Sequence, residues 1–303
     1  MDALSSVIDL AAVQGSLDLR CQLAGRFDIP HDSAGPGEAP FHLVLAGTAR
    51  LQVRGKPDMT LKAGDFVLLP RGAAHTLYGL GEADAMPMML DSLGALPERR
   101  NTDGAVELDL LCGRFTYASG TTDLLMHALP DVLHVSLTNE GAIDALNGIV
   151  AILRHEVALM RPGALAVVTA LSQALFVMAL RTYSQHEAIP SSLLGLLSHP
   201  RLSAAILAMI RSPHENWTVE TLAARANMSR ATFARQFSEK GGMSPIDLLT
   251  TMRMQLACNL LSSTDLALAT VAERIGYLSE SAFTKAFRKR VGVTPSAYRR
   301  SRH

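Results

Sequence analysis

TLAARANMSRATFARQF at residues 221–237 and TVAERIGYLSESAFTKAF at residues 270–287 are two copies of one pattern. Ala223, Arg225 and Met228 match Ala272, Arg274 and Tyr277 at an offset of 49. Phe233, Phe237, Gly242 and Pro245 match Phe283, Phe287, Gly292 and Pro295 at an offset of 50, so the second copy holds one extra residue in its turn. Each copy carries a small residue, Ala223 or Ala272, where two helices must cross closely. Asn227 or Gly276 follows, residues that tolerate left-handed backbone. Ser229 or Ser279 then supplies an N-cap, and a Phe pair at i and i+4 fixes the buried side of the next helix. This order of parts predicts a helix-turn-helix whose second helix offers its polar face to a major groove.

Two copies are a far stronger signal than one. Between them, MSPIDLLTTMRMQLACNLLSST predicts a helix with Met252, Leu256 and Leu260 on one face. A rigid connector of that kind sets two reading helices in successive grooves, about 34 Å apart. With the Phe pairs buried, Ser229, Arg230, Ala231, Arg235 and Gln236 fall on or near the free side of the first reading helix. Glu280, Ser281, Thr284, Lys285 and Arg288 do so in the second. Arg and Gln suit bidentate contacts to guanine and adenine edges; Lys285 and Arg288 equally suit phosphates, which give position without sequence information. Glu280 either accepts from a cytosine amino group or caps its helix. Arg253, Lys289, Arg290, Arg299 and Arg300 read as phosphate neighbours or plain surface.

Charge supports the same end of the chain. The net charge is zero, but residues 217–303 hold 13 Lys plus Arg against 6 Asp plus Glu, about +7, and the first 216 residues balance it. A basic tail behind an acidic body points to a polyanionic partner, although an ordinary charged surface would give similar counts. LAARANMSRATFARQF, GMSP at 242–245, RMQLACNLL, VAERIGYLSESAFTKAFRK and GVTPSAYRR together resemble the DNA-binding domain of the AraC family of transcription regulators over residues 200–303. The resemblance implies double-stranded DNA as partner, two reading helices and control of initiation, commonly activation, through RNA polymerase.

Residues 41–115 read as short strands closed by Gly or Pro: FHLVLAG, ARLQVRG, MTLKAG and DFVLLPRG. GDFVLLPRGAAH, from Gly64 to His75, has the G-x5-P-x-G-x2-H spacing of the second cupin motif, and FHLVLAG resembles the core of the first. The resemblance covers residues 20–120 and implies a small β-barrel that receives a signal. Metal-binding cupins present three His and one Glu; here Pro40 stands at the Glu position and no HxH precedes it, so the ligand set is incomplete. His42 points inward if Phe41 points out, and His75 remains. Cys21 and His31 lie earlier in the chain and are further candidates. Such a set suits zinc or another divalent metal; the alternative is a pair of hydrogen-bonded barrel histidines with no metal. No cofactor is required for DNA binding.

The three cysteines, Cys21, Cys112 and Cys258, are odd in number and widely spaced, which fits reduced thiols in a cytoplasmic protein. Cys21 follows Arg20, and a nearby cation makes a thiol more oxidisable. Cys21 is therefore a candidate redox sensor, or else a structural thiol; Cys112, in the apolar strand LLCGRF, reads as buried and inert or as the thiol that resolves Cys21. Cys258 reads as a small core residue.

From Asn139 the period becomes helical, with Ile143, Leu146, Ile149, Val150, Leu153, Val157 and Met160 on one face; a second helix, ALAVVTALSQALFVMALRTYS, is apolar nearly all round. These helices either support a homodimer or pack on the barrel. No run reads as a membrane span or a signal peptide. The expected architecture is multidomain α+β: a cupin-like sensor over 1–125, a helical linker over 126–199 and an all-α double helix-turn-helix over 200–303. The expected activity is signal-dependent regulation of transcription by an oxidant, a metal or a small ligand, not catalysis. The alternative is a cupin enzyme, a metal-dependent oxygenase or isomerase, fused to a DNA-binding domain; the missing Glu and HxH argue against it.

Overall fold

The computed structural model describes residues 2–84, 86–92, 96–102, 104–117, 123–138, 148–149, 151–152, 155–156, 162–185 and 191–301. Two compact units emerge. One comprises Gln14–Thr116 and Pro130–Gln185; the other comprises Met1–Val13, Tyr117–Leu129 and His186–His303. This grouping departs from the consecutive order read from the sequence, because both ends of the chain contribute to the helical unit.

Among the described residues the first unit is built on ten strands: β1 (Gln14–Leu23), β2 (Asp28–His31), β3 (Glu38–Val53), β4 (Met59–Lys62), β5 (Asp65–Leu68), β6 (His75–Gly79), β7 (Met89–Asp91), β8 (Glu98–Arg100), β9 (Leu108–Thr116) and β10 (Leu133–Ser136). Their order is β10-β5-β3-β9-β1-β8-β7, with β4 and β6 on the far half of β3 and β2 on β6. The sheet curls because β3 spans 16 residues and serves both halves. Its first part pairs with β5 and β9 and its second with β4 and β6, and the β3–β9 register slips between Val44 and Ala46. Such a slip adds local bend and twist. Alternation then sends Leu23, Val44, Leu51, Leu61, Val67, Leu77 and Leu110 into the enclosed face. Gly64 (φ 86°) and Gly72 (φ 61°) make the tight turns that the cupin-like spacing predicts.

The opposite face carries a run of aromatic rings. Phe41 stacks on Phe66 at 5.4 Å and on Phe115 at 4.8 Å, and Phe115 meets Phe176 at 4.7 Å. Phe176 belongs to the helix Ala164–Ser184, which also buries Val168, Leu175, Ala179 and Leu180. Contrary to expectation, its stretch Ala166–Ser184 is long and apolar enough to cross a membrane by length and composition; here that apolarity covers β1 and β10 of the sheet. Most of the helix expected over 139–160 lies outside the described residues; Ile149 is helical.

The second unit is helical. Pro200–Arg211 leads to Val219–Arg225 and Arg230–Gly241, the first helix-turn-helix. Pro245–Ser263 connects it to Leu268–Arg274 and Glu280–Val291, the second, and Pro295–Arg300 follows. Ser229, Ser244, Ser279 and Thr294 each cap a helix through the side-chain oxygen. Asn227 (φ 51°) and Gly276 (φ 83°) make the two left-handed turns. Phe233, Phe237, Phe283 and Phe287 are completely buried, and Cys258 lies in the core with Met254, Leu261, Val271 and Ile275. The N-terminal helix Ala3–Ala11 buries Val7, Ile8 and Ala11 in this unit, against Pro200–Arg211 and Pro245–Ser263; the Asn259 side chain donates to the Leu10 carbonyl at 2.8 Å.

Candidate functional site

Two sites stand out, one in each unit. In the helical unit, burial of the Phe pairs turns the opposite faces of both reading helices to solvent. Ser229, Arg230, Ala231 and Arg235 are exposed, as are Glu280, Ser281, Lys285 and Arg288, while Thr284 is half-buried. Arg230 and Arg235, with side chains 69% and 65% exposed, pair among the described residues with the exposed Glu220 and Glu239. Exposed pairs of this kind exchange readily for phosphate or base. Lys285 and Arg288 form no ion pair among the described residues. They line a shallow open depression of about 940 Å3 with Glu280, Ser281, Thr284, Lys289 and Thr294.

Gln236 stands apart from this set. It is half-buried, and its amide oxygen has no hydrogen-bond partner among the described residues. Three of the arginines read as phosphate neighbours or surface are instead engaged within the protein. Arg253 donates to the Pro213 and Glu215 carbonyls at 2.8 Å each, Arg290 to Thr251 Oγ1 at 3.3 Å and Arg299 to the Leu266 carbonyl at 2.6 Å. Leu278, the extra residue of the second copy, is fully exposed at the foot of the second reading helix. The one-residue mismatch between the repeats was the signal that marks it.

In the barrel unit, five residues from five strands meet. His42 on β3 and His75 at the start of β6 are buried, with Nε2 atoms 2.7 Å apart; His42 Nδ1 lies 3.2 Å from Cys112 Sγ on β9. His31, at the end of β2, stacks on His75 at 4.5 Å with rings nearly parallel and meets His42 edge-on at 5.0 Å. Cys21, on β1, comes within hydrogen-bonding reach of Cys112. Adjacent strands explain the encounter: β9 pairs with both β1 and β3, so one strand brings Cys112 to Cys21 on one side and to His42 on the other.

Burial dominates the electrostatics. It holds the His42 imidazole well below its usual range, lowers His75, and with the neighbouring His75 brings His31 to about 4. All three rings are therefore neutral near pH 7. His75 Nδ1–H donates to the Ala73 carbonyl at 2.9 Å, which leaves Nε2 as an acceptor. His42 must then donate from Nε2, so its Nδ1 lone pair faces the Cys112 thiol. The two thiols differ. The hydrogen bond from Cys112 lowers the Cys21 pKa against the effect of burial, and Arg99 lowers it further. The same hydrogen bond and burial push Cys112 well above the usual thiol range.

A cavity of about 330 Å3 opens onto the cluster. His31, His42, His75, Cys112, Arg99 and Arg114 are among its lining residues. The ligand atoms of His31, His42 and Cys112 lie within 4.8 Å of one another, and such nitrogen and sulfur donors suit a borderline metal. Sequence reasoning missed Arg99. Only the parallel pairing of β8 with β1, which sets Arg99 beside Cys21, brings it in.

Comparison with known proteins covers both sites. Residues 2–185 match the Cupin family model and residues 222–301 that of the Helix-turn-helix domain. The chain is 32% identical over 302 residues to an uncharacterized HTH-type transcriptional regulator of Haemophilus influenzae, covering 99% of each chain. It is 31% identical to the RCS-specific HTH-type transcriptional activator RclR of Escherichia coli, covering 99% of this chain and 97% of that one. Among solved structures, the DNA-binding domain of AdpA in complex with a target DNA is 40% identical; the match covers 32% of this chain and 87% of that chain, with a TM-score of 0.31.

Proposed function

The chain belongs to the AraC-type helix-turn-helix transcriptional regulators with an N-terminal cupin domain, proteins that bind DNA rather than enzymes, and on that premise we propose that it is a thiol-controlled activator. The observation that supports this reading is the contact chain Cys21–Cys112–His42–His75, buried and lined up across β1, β9, β3 and β6. A peroxide-class oxidant takes two electrons from the Cys21 thiolate: sulfur attacks one peroxide oxygen, the O–O bond breaks, and sulfenic acid and hydroxide form. The Cys112 thiol then attacks the sulfenic sulfur, expelling water and closing a Cys21–Cys112 disulfide. That water carries away the Cys112 proton, relayed through His42 Nδ1, which faces the thiol and ends neutral. A disulfide joining β1 to β9 shifts the balance between conformations that do and do not engage operator and RNA polymerase productively.

On the DNA side, Arg230 and Arg235 read base edges or phosphate from the first helix. Glu280, Ser281, Thr284, Lys285 and Arg288 line the second, and Ser229 and Ala231 sit at the start of the first. The outward Ala166, Val167 and Ala170 of the helix Ala164–Ser184 form the contact of a homodimer, which doubles the DNA contacts. The protein works in the cytoplasm, where operator and polymerase are.

A second reading is favoured by the donor set itself. His31, His42 and Cys112, with His75 alongside, would hold zinc or another divalent metal. A bound metal would deprotonate the Cys112 thiol and staple β2, β3 and β9 together.

One experiment separates the two. The purified full chain is reduced, or treated with hydrogen peroxide, and assayed for transcription from a template carrying DNA that the protein selects out of a random pool; metal is quantified by mass spectrometry on the same sample. Oxidation changes transcription, and Cys21→Ser abolishes the change. An unaltered response to peroxide, with stoichiometric metal whose chelation changes transcription, overturns the thiol reading in favour of the metal.

A further inference from the structure

The readers of this protein are tied together at a point that no repeat alignment marks. Arg253 sits near the middle of the connecting helix Pro245–Ser263, half-buried. Its Nε donates to the Pro213 carbonyl and its Nη2 to the Glu215 carbonyl, both at 2.8 Å. Those carbonyls belong to the loop that leads into the first helix-turn-helix. The loop is itself locked: Trp217 Nε1 donates to the Ser212 carbonyl at 2.9 Å, and Arg225 lies over the Trp217 ring at 5.6 Å. On the other side stands Gly276, the left-handed turn of the second helix-turn-helix. A Cβ there would lie 2.7 Å from Arg253 Nη2 and 2.9 Å from the backbone of His214. Arg290, on the second reading helix, adds its bond to Thr251 of the same connector. Three segments therefore converge on one guanidinium: the lead-in of the first reader, the connector, and the turn of the second.

We propose that Arg253 is a positioning residue for operator reading: by clamping the 213–215 loop and the Gly276 turn onto the connecting helix, it fixes the spacing at which the two reading helices meet DNA. The chemistry demands arginine. A planar fork donates from Nε and Nη2 to two carbonyls at once, whereas a lysine ammonium is a single point donor. The function served is also clear. Two linked readers gain from each other only when their separation matches that of the two grooves, and the gain is lost when geometry forbids simultaneous engagement. One inserted base pair turns one box by about 34° and moves it about 3.4 Å relative to the other. A rigid clamp penalises that insertion; a loose one tolerates it.

The test uses the full-length protein and a duplex that the wild type selects from a random pool, its two boxes located by footprinting. Affinity is measured on this duplex, on one with either box scrambled, and on one with a single base pair inserted between the boxes. Arg253→Lys and Arg253→Ala are compared with the wild type, with circular dichroism melts on each. Both variants are expected to bind the one-box duplex within about twofold of wild type, to lose roughly tenfold on the two-box duplex, and to show a smaller insertion penalty. The proposal is overturned if one-box and two-box binding fall by the same factor, which marks a plain folding role. It is equally overturned if Arg253→Lys keeps wild-type affinity and insertion penalty, because a phosphate contact or a bare charge then suffices.

Discussion

Arg99 stands beside Cys21 across the parallel β1–β8 pairing, while Arg20, its neighbour in the chain, points to the other face. Arg20 is held there by Asp109, with Nε to Oδ1 at 2.9 Å and Nη2 to Oδ2 at 2.8 Å, and by Glu98 at 3.5 Å. The two arginines thus have opposite consequences. Arg99→Ala should slow alkylation of Cys21 by iodoacetamide at pH 7 by roughly threefold or more, since a lost cation raises the thiol pKa. Arg20→Ala should leave that rate unchanged relative to wild type in the folded protein and destabilise it by about 3 kcal/mol, because the buried Asp109 loses its bidentate, charge-assisted partner. Equal effects of both variants on the alkylation rate would refute this division.

The second reading helix should separate into contacts of two kinds. Lys285→Ala is expected to weaken binding to all DNA sequences alike and to lower the slope of log affinity against log salt by about one. Leu278→Ala should leave the salt slope intact and cost about fivefold on the selected operator, as loss of an apolar contact with a thymine methyl does. Fluorescence anisotropy at four salt concentrations reads both; a changed salt slope for Leu278→Ala would place that side chain elsewhere.

Asp123 caps the short helix Leu124–His127 by accepting from the Met126 N–H, yet burial raises its carboxyl to about 6 despite that bond and the neighbouring His127. Its folded pKa lies above the unfolded value. It therefore contributes full stability below about pH 4 and loses it as the pH rises through 6. Asp123→Asn keeps a capping oxygen and removes the buried charge. That variant should be more stable than wild type at pH 7.5, by on the order of 2 kcal/mol, and no more stable at pH 4. Urea melts at the two pH values check it; a pH-independent difference would mean that the carboxyl is already solvated.

Ile8 lies in the N-terminal helix, buried within the helical unit. Ile8→Ala should lower the stability of that unit by about 2 to 4 kcal/mol, seen by hydrogen exchange as faster opening of amides in Pro200–Arg211 and Pro245–Ser263. Protection unchanged in both helices would show that the N-terminal helix adds nothing to this core.

Much of the fold was legible because its signals are local. The Phe pairs at 233/237 and 283/287 announced both reading helices. Phe41 on the other face placed His42 inside by strand alternation alone, with His75, Cys21 and His31 as candidates for the same cavity, whereas the approach of Cys112 to His42 comes from the β3–β9 register. What could not be read depends on pairing between distant segments. Arg99 reaches Cys21 only through β8, a three-residue strand. Arg253 looked like surface because its acceptors are backbone carbonyls 38 and 40 residues away, and carbonyls leave no mark in a sequence. Leu133–Ser136 lies beyond the expected barrel boundary at 125 because it completes the sheet on β5.

The helix Ala3–Ala11 has a consequence for how the protein is made. The helices it packs against, Pro200–Arg211 and Pro245–Ser263, are synthesised some 200 residues or more after it. At bacterial rates of about 5 to 20 residues per second, that interval lasts on the order of ten seconds or more. Through all of it the apolar side of Val7, Ile8 and Ala11 waits without its partners. The strands between can close meanwhile, since every strand among the described residues precedes residue 137. The DNA-reading half, by contrast, completes its core only when Pro200–Arg211 and Pro245–Ser263 reach the helix Ala3–Ala11, so a chain cut short before them yields a barrel without the core that carries the reading helices.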